Sequence, residues 1–148
     1  MAALPKVAGQ HYASLENKGT GIKQHIPPGL AIDSYGGSAY VSLIAFTVCN
    51  LSPRLLPPLP FISNFHEVNL RTYVIRDGKP GIYFLSIEAE KLIPALLARF
   101  IMGLPYRKSL IKRKENYYFA KGNNTEMEVS YKKGRPCKND PLDYWLTE

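Results

Sequence analysis

The sequence is poor in the residues that build metal centres and disulfide frameworks. It has two cysteines and three histidines in 148 residues. Cys49 and Cys137 lie far apart and fit no spacing that is typical of metal ligands. This pattern predicts two reduced thiols in a cytoplasmic protein, with no metal site and no cofactor.

Long apolar segments and targeting signals are also missing. No run reaches the ~18 apolar residues of a membrane helix, because the longest, AYVSLIAFTVC and LIPALLARFIMGL, are short and interrupted. The N-terminus has no basic head followed by an apolar core. We therefore expect neither a membrane partner nor a secretory signal.

Acidic residues are scarce in the second half of the chain. The net charge is +7, and ten basic residues lie between Arg107 and Lys138 against three acidic ones. Such a block can form a nucleic-acid face, but no recognised nucleic-acid motif accompanies it. Solvated strands and turns are the simpler interpretation, so nucleic acid is not expected as a partner and binding through 107–138 stays an alternative.

Strand patterns dominate what is present. AYVSLIAFTVCN, residues 39–50, is apolar on both faces and predicts a strand buried on both sides. FHEVNLRTYVI and IYFLSIE predict two more strands, joined by a turn at Asp77-Gly78, so that the three pieces form a meander. AIDSY followed by GGS predicts a short strand and a tight hairpin turn.

The remaining segments set the expected domain organisation. Residues 1–22 predict a flexible N-terminal arm, and 23–148 predict a single domain. Four prolines in LSPRLLPPLPFISNF predict a stiff apolar loop. The helical spacing of apolar residues in EKLIPALLARFIMG predicts the main helix at about 90–102. A second helix is predicted in NDPLDYWLTE, with Asp140 as its cap and Pro141 at its first position. The expected fold class is mostly β (α+β), a curved sheet or β-barrel with one main helix.

One strand carries a row of polar side chains. In FHEVNLRTYV, Val68, Leu70 and Val74 share one face. The other face bears Glu67, Asn69, Arg71 and Tyr73. This row is either a solvated surface or the lining of a pocket. Glu67 and Arg71 lie about 13 Å apart along the strand and cannot pair directly, so each needs another partner if it is buried.

Three strings together resemble a known family. IPPGLAIDSYGGSAYVSLIAF, LPPLPFISNFHEVNLRTYVIRDGKPGIYFLSIEA and MGLPYRKSL resemble the YqjF-like family of uncharacterised bacterial proteins, strongly over about 26–110 and weakly to DYWLTE. That family is in turn similar to acetoacetate decarboxylase, a β-barrel enzyme with an internal ligand cavity. Family members continue past DYWLTE, so the resemblance implies a truncated domain and a barrel incomplete at its C-terminus. We therefore expect a homo-oligomer, a dimer or larger, that forms through open sheet edges or through the apolar LLPPLPF loop.

The resemblance also implies which residues to inspect. Acetoacetate decarboxylase forms a Schiff base through a lysine that a neighbouring cation activates, and its lysine pair follows a Gly-aromatic-Pro turn. In this chain the turn is Gly103-Leu104-Pro105, and Tyr106 and Arg107 occupy the positions of the two lysines. Schiff-base chemistry is therefore not expected unless Lys108, on the same strand face as Tyr106, replaces the nucleophile. Glu67 matches a buried glutamate of the enzyme, which favours a pocket lining for the polar row.

These observations leave three functions open. The first is binding of a small carboxylate or keto acid by residues of the polar row and the neighbouring strand, namely Glu67, Asn69, Arg71, Tyr73 and Tyr106. The second is a decarboxylase or acid–base enzyme in which Glu67 carries the proton and Lys108 or Tyr106 assists. The third is binding of nucleic acid or an acidic partner by the basic segment 107–138.

Overall fold

The computed structural model describes residues 6–17, 20–49, 63–91, 103–123, 126–132 and 141–147. Nine strands and two short helices lie in these ranges. They are β1 (Lys6–Asn17), α1 (Thr20–Lys23), β2 (Ala31–Ile32), β3 (Ala39–Cys49), β4 (Phe65–Arg76), β5 (Lys79–Ala89), β6 (Tyr106–Lys108), β7 (Leu110–Lys114), β8 (Tyr117–Lys121), β9 (Glu126–Ser130) and α2 (Pro141–Thr147).

A meander of β3, β4 and β5 forms the centre of the larger sheet. β3 pairs antiparallel with β4, and β4 with β5, as the alternating and two-sided apolar patterns predicted. Asp77 and Gly78 connect β4 to β5 with φ angles of 51° and 74°. Positive φ at both central residues is the requirement of a two-residue turn whose twist matches the flanking strands, which is why Asp-Gly is a reliable hairpin signal.

The larger sheet is open and curved. Its strand order is β1-β3-β4-β5-β6, with β2 paired to β4, and β6 runs parallel to β5. Of the two predicted architectures, the curved sheet is the one formed, because within the described ranges β1 and β6 are opposite edges that do not close into a barrel. The short hairpin predicted at GGS is also present, with Tyr35 bridging Ser38.

The segment predicted as an N-terminal arm contains a strand and the start of a short helix. Residues Lys6–Asn17 form β1, which pairs antiparallel along β3 with one register irregularity between Ala8 and His11. Residues Thr20–Lys23 then form α1. The small and polar composition of this stretch does not indicate a strand. It allows one nevertheless, because the ladder is made by backbone groups that every residue except proline supplies.

A second sheet packs on one face of the first. Its order is β7-β8-β9, all antiparallel. Buried residues of both sheets form one apolar cluster, namely Ala45, Val68, Ile111, Tyr118 and Ala120. This layer covers the Val68 face of β4, so the polar row of β4 faces the other way.

Several predicted features lie outside the described residues. They include the apolar proline-rich loop within 51–62, the main helix from 92 onwards, and Asp140 as a helix cap. The second predicted helix is confirmed, since α2 begins at Pro141. No helix in the described part of the chain is long and apolar enough to span a bilayer.

Candidate functional site

The polar row of β4 is buried. Glu67 is 3% exposed, Asn69 7% and Tyr73 5%, while Arg71 is half-buried. Val68 and Val74, on the opposite face, are also buried, and Leu70 is half-buried. The strand is therefore covered on both sides, and its polar row is an interior surface rather than a solvated one.

Glu67 lies at the centre of a small hydrogen-bonded group. The Tyr106 hydroxyl donates to Glu67 Oε2 at 3.2 Å, and the Asn69 side chain also hydrogen-bonds the carboxyl. Phe46 of β3 and Ala89 of β5 flank Glu67 in register, so apolar side chains surround this group. Tyr106, which occupies the position of the Schiff-base lysine in the family resemblance, thus contacts the matched glutamate directly.

Burial changes the acidity of both partners. It raises the pKa of Glu67 from 4.5 to about 7, although the hydrogen bonds from Tyr106 and Asn69 act in the opposite direction. Burial and the nearby Glu67 charge raise the pKa of the Tyr106 hydroxyl, which stays protonated and able to donate. A carboxyl whose pKa is near neutrality can both release and accept a proton at physiological pH.

Asn69 has an unused acceptor. Its Oδ1 atom is buried and receives no hydrogen bond from the part of the chain that the structure describes. A buried carbonyl oxygen left in this state costs about 1–3 kcal/mol. A bound water or a small hydroxylated or protonated molecule beside Glu67 would satisfy it.

Arg71 and Tyr73 both donate hydrogen bonds to α2. Arg71 Nη2 donates to the Leu146 carbonyl at 3.0 Å, and the Tyr73 hydroxyl donates to the same oxygen at 2.7 Å. Ser42 Oγ lies 2.8 Å from the Tyr73 hydroxyl. Both side chains therefore hold the end of α2, where helix carbonyls lack partners within the helix. The predicted four-residue lining is divided into a Glu67–Asn69 half and a half bound to α2.

Lys108 is not brought to Glu67. It aligns with Ala89, which aligns with Glu67, so its Cα lies two strand spacings, about 10 Å, from that of Glu67. Its side chain is exposed, as is that of Arg107. Of the two predicted catalytic residues, only Glu67 is in a buried polar environment.

The sequence reasoning missed two groups near this row. Trp145 of α2 packs its ring against Tyr73 at 4.6 Å between centroids, and against Tyr35 and Tyr40 at 5.7 Å each. A single tryptophan in a helix with one apolar side was the available signal. The other missed group lies on the opposite face of β4.

Arg113, Thr47 and His66 form a hydrogen-bonded chain beneath the second sheet. Arg113 Nη1 donates to Thr47 Oγ1 at 2.7 Å, and Thr47 Oγ1 lies 2.9 Å from His66 Nδ1. Burial lowers the pKa of His66. No spacing in the sequence indicates this chain, because its members come from β3, β4 and β7.

Comparison with known proteins assigns the chain to a family. The DUF2071 family, described as uncharacterized conserved protein, matches residues 11–148. The uncharacterized protein YqjF of Bacillus subtilis is 39% identical over 137 residues, which cover 86% of this chain and 57% of YqjF. The chain thus spans little more than half the length of that relative.

Solved structures share the fold at low sequence identity. Acetoacetate decarboxylase from Legionella pneumophila superposes with a TM-score of 0.65 at 16% identity, covering 93% of this chain and 51% of the enzyme. The enduracididine biosynthesis enzyme MppR gives 0.61 at 14% identity, covering 97% and 62%. An acetoacetate decarboxylase-like enzyme from Sphingomonas wittichii RW1 gives 0.60 at 13% identity, covering 81% and 52%. These likenesses establish an acetoacetate decarboxylase-like fold.

Proposed function

The chain belongs to the DUF2071 family, and from that premise we propose that it binds a small keto acid or related carboxylate beside Glu67. The observation that carries the proposal is the buried Glu67 carboxyl, with its pKa near 7, in contact with Tyr106 and Asn69. Buried polar groups with shifted pKa values concentrate at functional sites, because a structural core gains little from them.

The chemistry of this group suits a carbonyl compound. The protonated Glu67 carboxyl is a donor that a carbonyl oxygen can accept from, and the Tyr106 hydroxyl supplies a second donor when a ligand draws it away from Glu67 Oε2. Asn69 Oδ1 is an acceptor for a hydroxyl or a water that accompanies the ligand. Ionised Glu67 would repel an anionic ligand, so binding of a keto acid favours the protonated form and weakens as pH rises through about 7.

The related folds guide the choice of compounds to test. One relative of similar fold, MppR, has been solved in complex with pyruvate, at 13% identity to this chain. Acetoacetate is the substrate named for the Legionella pneumophila enzyme. Pyruvate and acetoacetate are therefore the first probes for this chain, whose own ligand is proposed from the Glu67 group.

Calorimetric titration with these two compounds tests the proposal. We expect saturable binding at pH 6 that is weaker at pH 8, and a loss of about tenfold in affinity in Tyr106→Phe, which removes one hydrogen bond to the ligand. Tyr117→Phe, at a half-buried tyrosine of the second sheet, is the matched control and should bind like the wild type. Absence of saturable binding of both compounds at millimolar concentration would overturn the proposal.

We propose acid–base catalysis on a keto acid as the second candidate, because the pKa of Glu67 is raised to about 7. In this reading Glu67 removes or returns a proton next to a carbonyl whose oxygen is polarised by Tyr106. Loss of pyruvate methyl proton signals in D₂O, faster than in buffer and abolished in Glu67→Gln, is the expected result. Exchange at the buffer rate would leave ligand binding as the function.

Nucleic-acid binding is not proposed. Exposed basic residues of β7, such as Lys112 and Lys114, share a sheet face with Glu126 and Glu128 of β9. Acidic side chains two strands away on the same face repel a phosphate backbone. Retention on DNA that falls steeply with salt would contradict this conclusion.

We also propose a cytoplasmic location and self-association. A cytoplasmic setting keeps thiols such as Cys49 reduced. For self-association, the outer face of the second sheet is self-complementary, since its middle row runs Lys112, Phe119, Glu128 across the three strands. A two-fold axis parallel to β8 would place Lys112 of one copy over Glu128 of the other, with Phe119 against Phe119.

A further inference from the structure

A separate cleft opens at the far end of the polar row. It has a volume of about 280 Å³. Its walls come from the segment after β2, from β4, from the start of β5 and from α2, namely Asp33, Tyr73, Pro80, Gly81, Ile82 and Trp145. Glu67 and Tyr106 do not line it, so it is distinct from the site proposed above.

The aromatic wall of the cleft is held in place on several sides. Trp145 packs against Tyr73, and the Tyr35 and Tyr40 rings lie 5.7 Å from it between centroids, tilted and edge-on respectively. The Tyr73 hydroxyl donates to the carbonyl of Leu146, the residue next to Trp145. The rings are therefore ordered without a ligand, and little conformational entropy remains to be lost on binding.

Asp33 supplies a negative charge at the rim. Its backbone N–H donates to the Tyr73 carbonyl at 3.0 Å, which fixes the residue beside the aromatic wall. The residue is half-buried, and no group in the described ranges hydrogen-bonds or ion-pairs with its carboxylate. A carboxylate next to aromatic faces is the arrangement that attracts a cation.

We propose that this cleft binds a small organic ammonium ion. The cation would lie over the Trp145 and Tyr73 rings with its charge toward Asp33, and its alkyl groups would contact Pro80 and Ile82. The volume fits a choline-sized ion rather than a drug-sized ligand. Arg71, with its guanidinium carbon 5.8 Å from the Tyr73 ring centroid, opposes this binding and keeps the affinity modest.

The single tryptophan of the chain makes the proposal directly measurable. All tryptophan emission comes from Trp145 in the wall of this cleft, because the sequence contains no other tryptophan. The experiment titrates the full chain with choline at constant ionic strength. Its neutral isostere, 3,3-dimethylbutan-1-ol, tests whether shape without charge is enough. We expect a saturable change in emission with choline and none in the same range with the alcohol.

Two carboxylate variants separate a specific site from a general charge effect. Asp33→Asn should weaken choline binding about fivefold, which is near the upper end of the contribution of an ion pair at a partly exposed site. Asp77→Asn, at an exposed turn outside this cleft, changes the net charge equally and should bind like the wild type. Asp33→Glu keeps the charge and should retain binding.

Three outcomes would overturn the proposal. They are the absence of a saturable response to choline, an equal response to the neutral alcohol, and an unchanged choline affinity in Asp33→Asn. The titration extends to about 50 mM choline, well above the dissociation constant expected of a specific site. If Asp33→Asn changes the far-ultraviolet circular dichroism, its choline affinity reports on the fold as well as on the charge. The choline affinities of Asp33→Glu and Asp77→Asn are then compared instead. Loss of binding in Asp33→Glu, with its fold intact, would then count against the proposal.

Discussion

At the scale of single residues, Glu67 links the candidate site to stability. Its pKa is raised to about 7 in the folded chain, against 4.5 when exposed. The folded state therefore holds the proton more tightly than the unfolded state. The stabilisation is fully present below about pH 4.5 and is lost as pH rises through about 7.

We expect Glu67→Gln to flatten this pH dependence. The difference between the two pKa values corresponds to about 3 kcal/mol of unfolding free energy, which the wild type should lose between about pH 4.5 and pH 8. Glutamine stays neutral, so the variant should lose less than about a third of this amount over the same range. Urea denaturation at several pH values measures both curves.

Glu115→Gln is the control for that experiment. Glu115 is exposed in the turn between β7 and β8. Its removal should leave the wild-type slope unchanged. If Glu67→Gln keeps the wild-type slope as well, the Glu67 carboxyl titrates normally and the acid–base reading of the site loses its basis.

No covalent Schiff base is expected with acetoacetate or pyruvate. Tyr106 occupies the position that the family resemblance assigns to the nucleophilic lysine, and Lys108 is exposed. An exposed amine lacks the desolvated pocket that activates a Schiff-base lysine. Borohydride reduction followed by mass spectrometry should give no ligand adduct, whereas an adduct on Lys108 would restore the decarboxylase reading.

The polar row illustrates what residue patterns can and cannot predict. Period-two alternation placed Glu67, Asn69, Arg71 and Tyr73 on one face, and the family resemblance favoured an interior lining. The division of the row depends on Leu146, which lies 73 residues beyond Tyr73 along the chain. No local pattern encodes that contact, since it forms only when α2 packs on the sheet.

At the scale of elements, α2 depends on side chains of β4. It is seven residues long, too short to be stable alone. Its Leu146 carbonyl accepts hydrogen bonds from Arg71 and Tyr73, and Trp145 packs on Tyr73. The helix is therefore held by tertiary contacts, and Tyr73 makes two of them.

Tyr73→Phe should loosen α2 without removing the ring contact. The variant removes two hydrogen bonds of the Tyr73 hydroxyl in a buried setting, one with Ser42 Oγ and one to the Leu146 carbonyl, and such a loss costs about 1–3 kcal/mol. We expect a lower unfolding free energy and a red shift of Trp145 emission as the helix end becomes more exposed. Tyr83→Phe, on the opposite face of the sheet, should change neither signal.

An unchanged emission spectrum together with unchanged stability in Tyr73→Phe would show that packing alone holds α2. A change in stability without a spectral shift would place the loss in the contact with Ser42 instead. Both results would contradict the role assigned to the Leu146 carbonyl.

The elements that could be predicted share strong local signals. β3, β4 and β5 have long patterns, and Asp77-Gly78 and Pro141 mark a turn and a helix start. β1 has none of these, because Gly, Ala, Ser and Gln can pair through the backbone without an apolar pattern. The open form of the sheet also lay beyond local patterns, since closure depends on which strands become edges.

At the scale of the whole molecule, charge is distributed by strand. The second sheet carries Lys112 and Lys114 on β7, Tyr117 and Phe119 on β8, and glutamates on β9. Lys121 and Glu126 form an exposed ion pair at 2.7 Å on the same face. The middle row of Lys112, Phe119 and Glu128 is complementary to itself after a two-fold rotation, which is the symmetry of most small dimers, whereas the same rotation brings Lys121 against Lys121 of the other copy.

Charge reversal tests the proposed self-association through this face. Lys112→Glu would place a glutamate over Glu128 of the other copy and should abolish the dimer, while adding Glu128→Lys to it should restore the pairing with reversed sign. The three strands of five residues cover only roughly 250 Å² per copy, so the dimer should be weak. Sedimentation from about 10 μM to about 1 mM is needed to populate it.

Replacing one lysine by glutamate lowers the net charge from +7 by two charges to +5, which by itself reduces repulsion between copies and favours association. Lys132→Glu makes the same change at an exposed position outside the face and should therefore dimerise at least as well as the wild type. A wild-type mass that stays at 16.7 kDa at the highest concentration, or dimers of equal strength in Lys112→Glu and Lys132→Glu, would show that this face is not the interface.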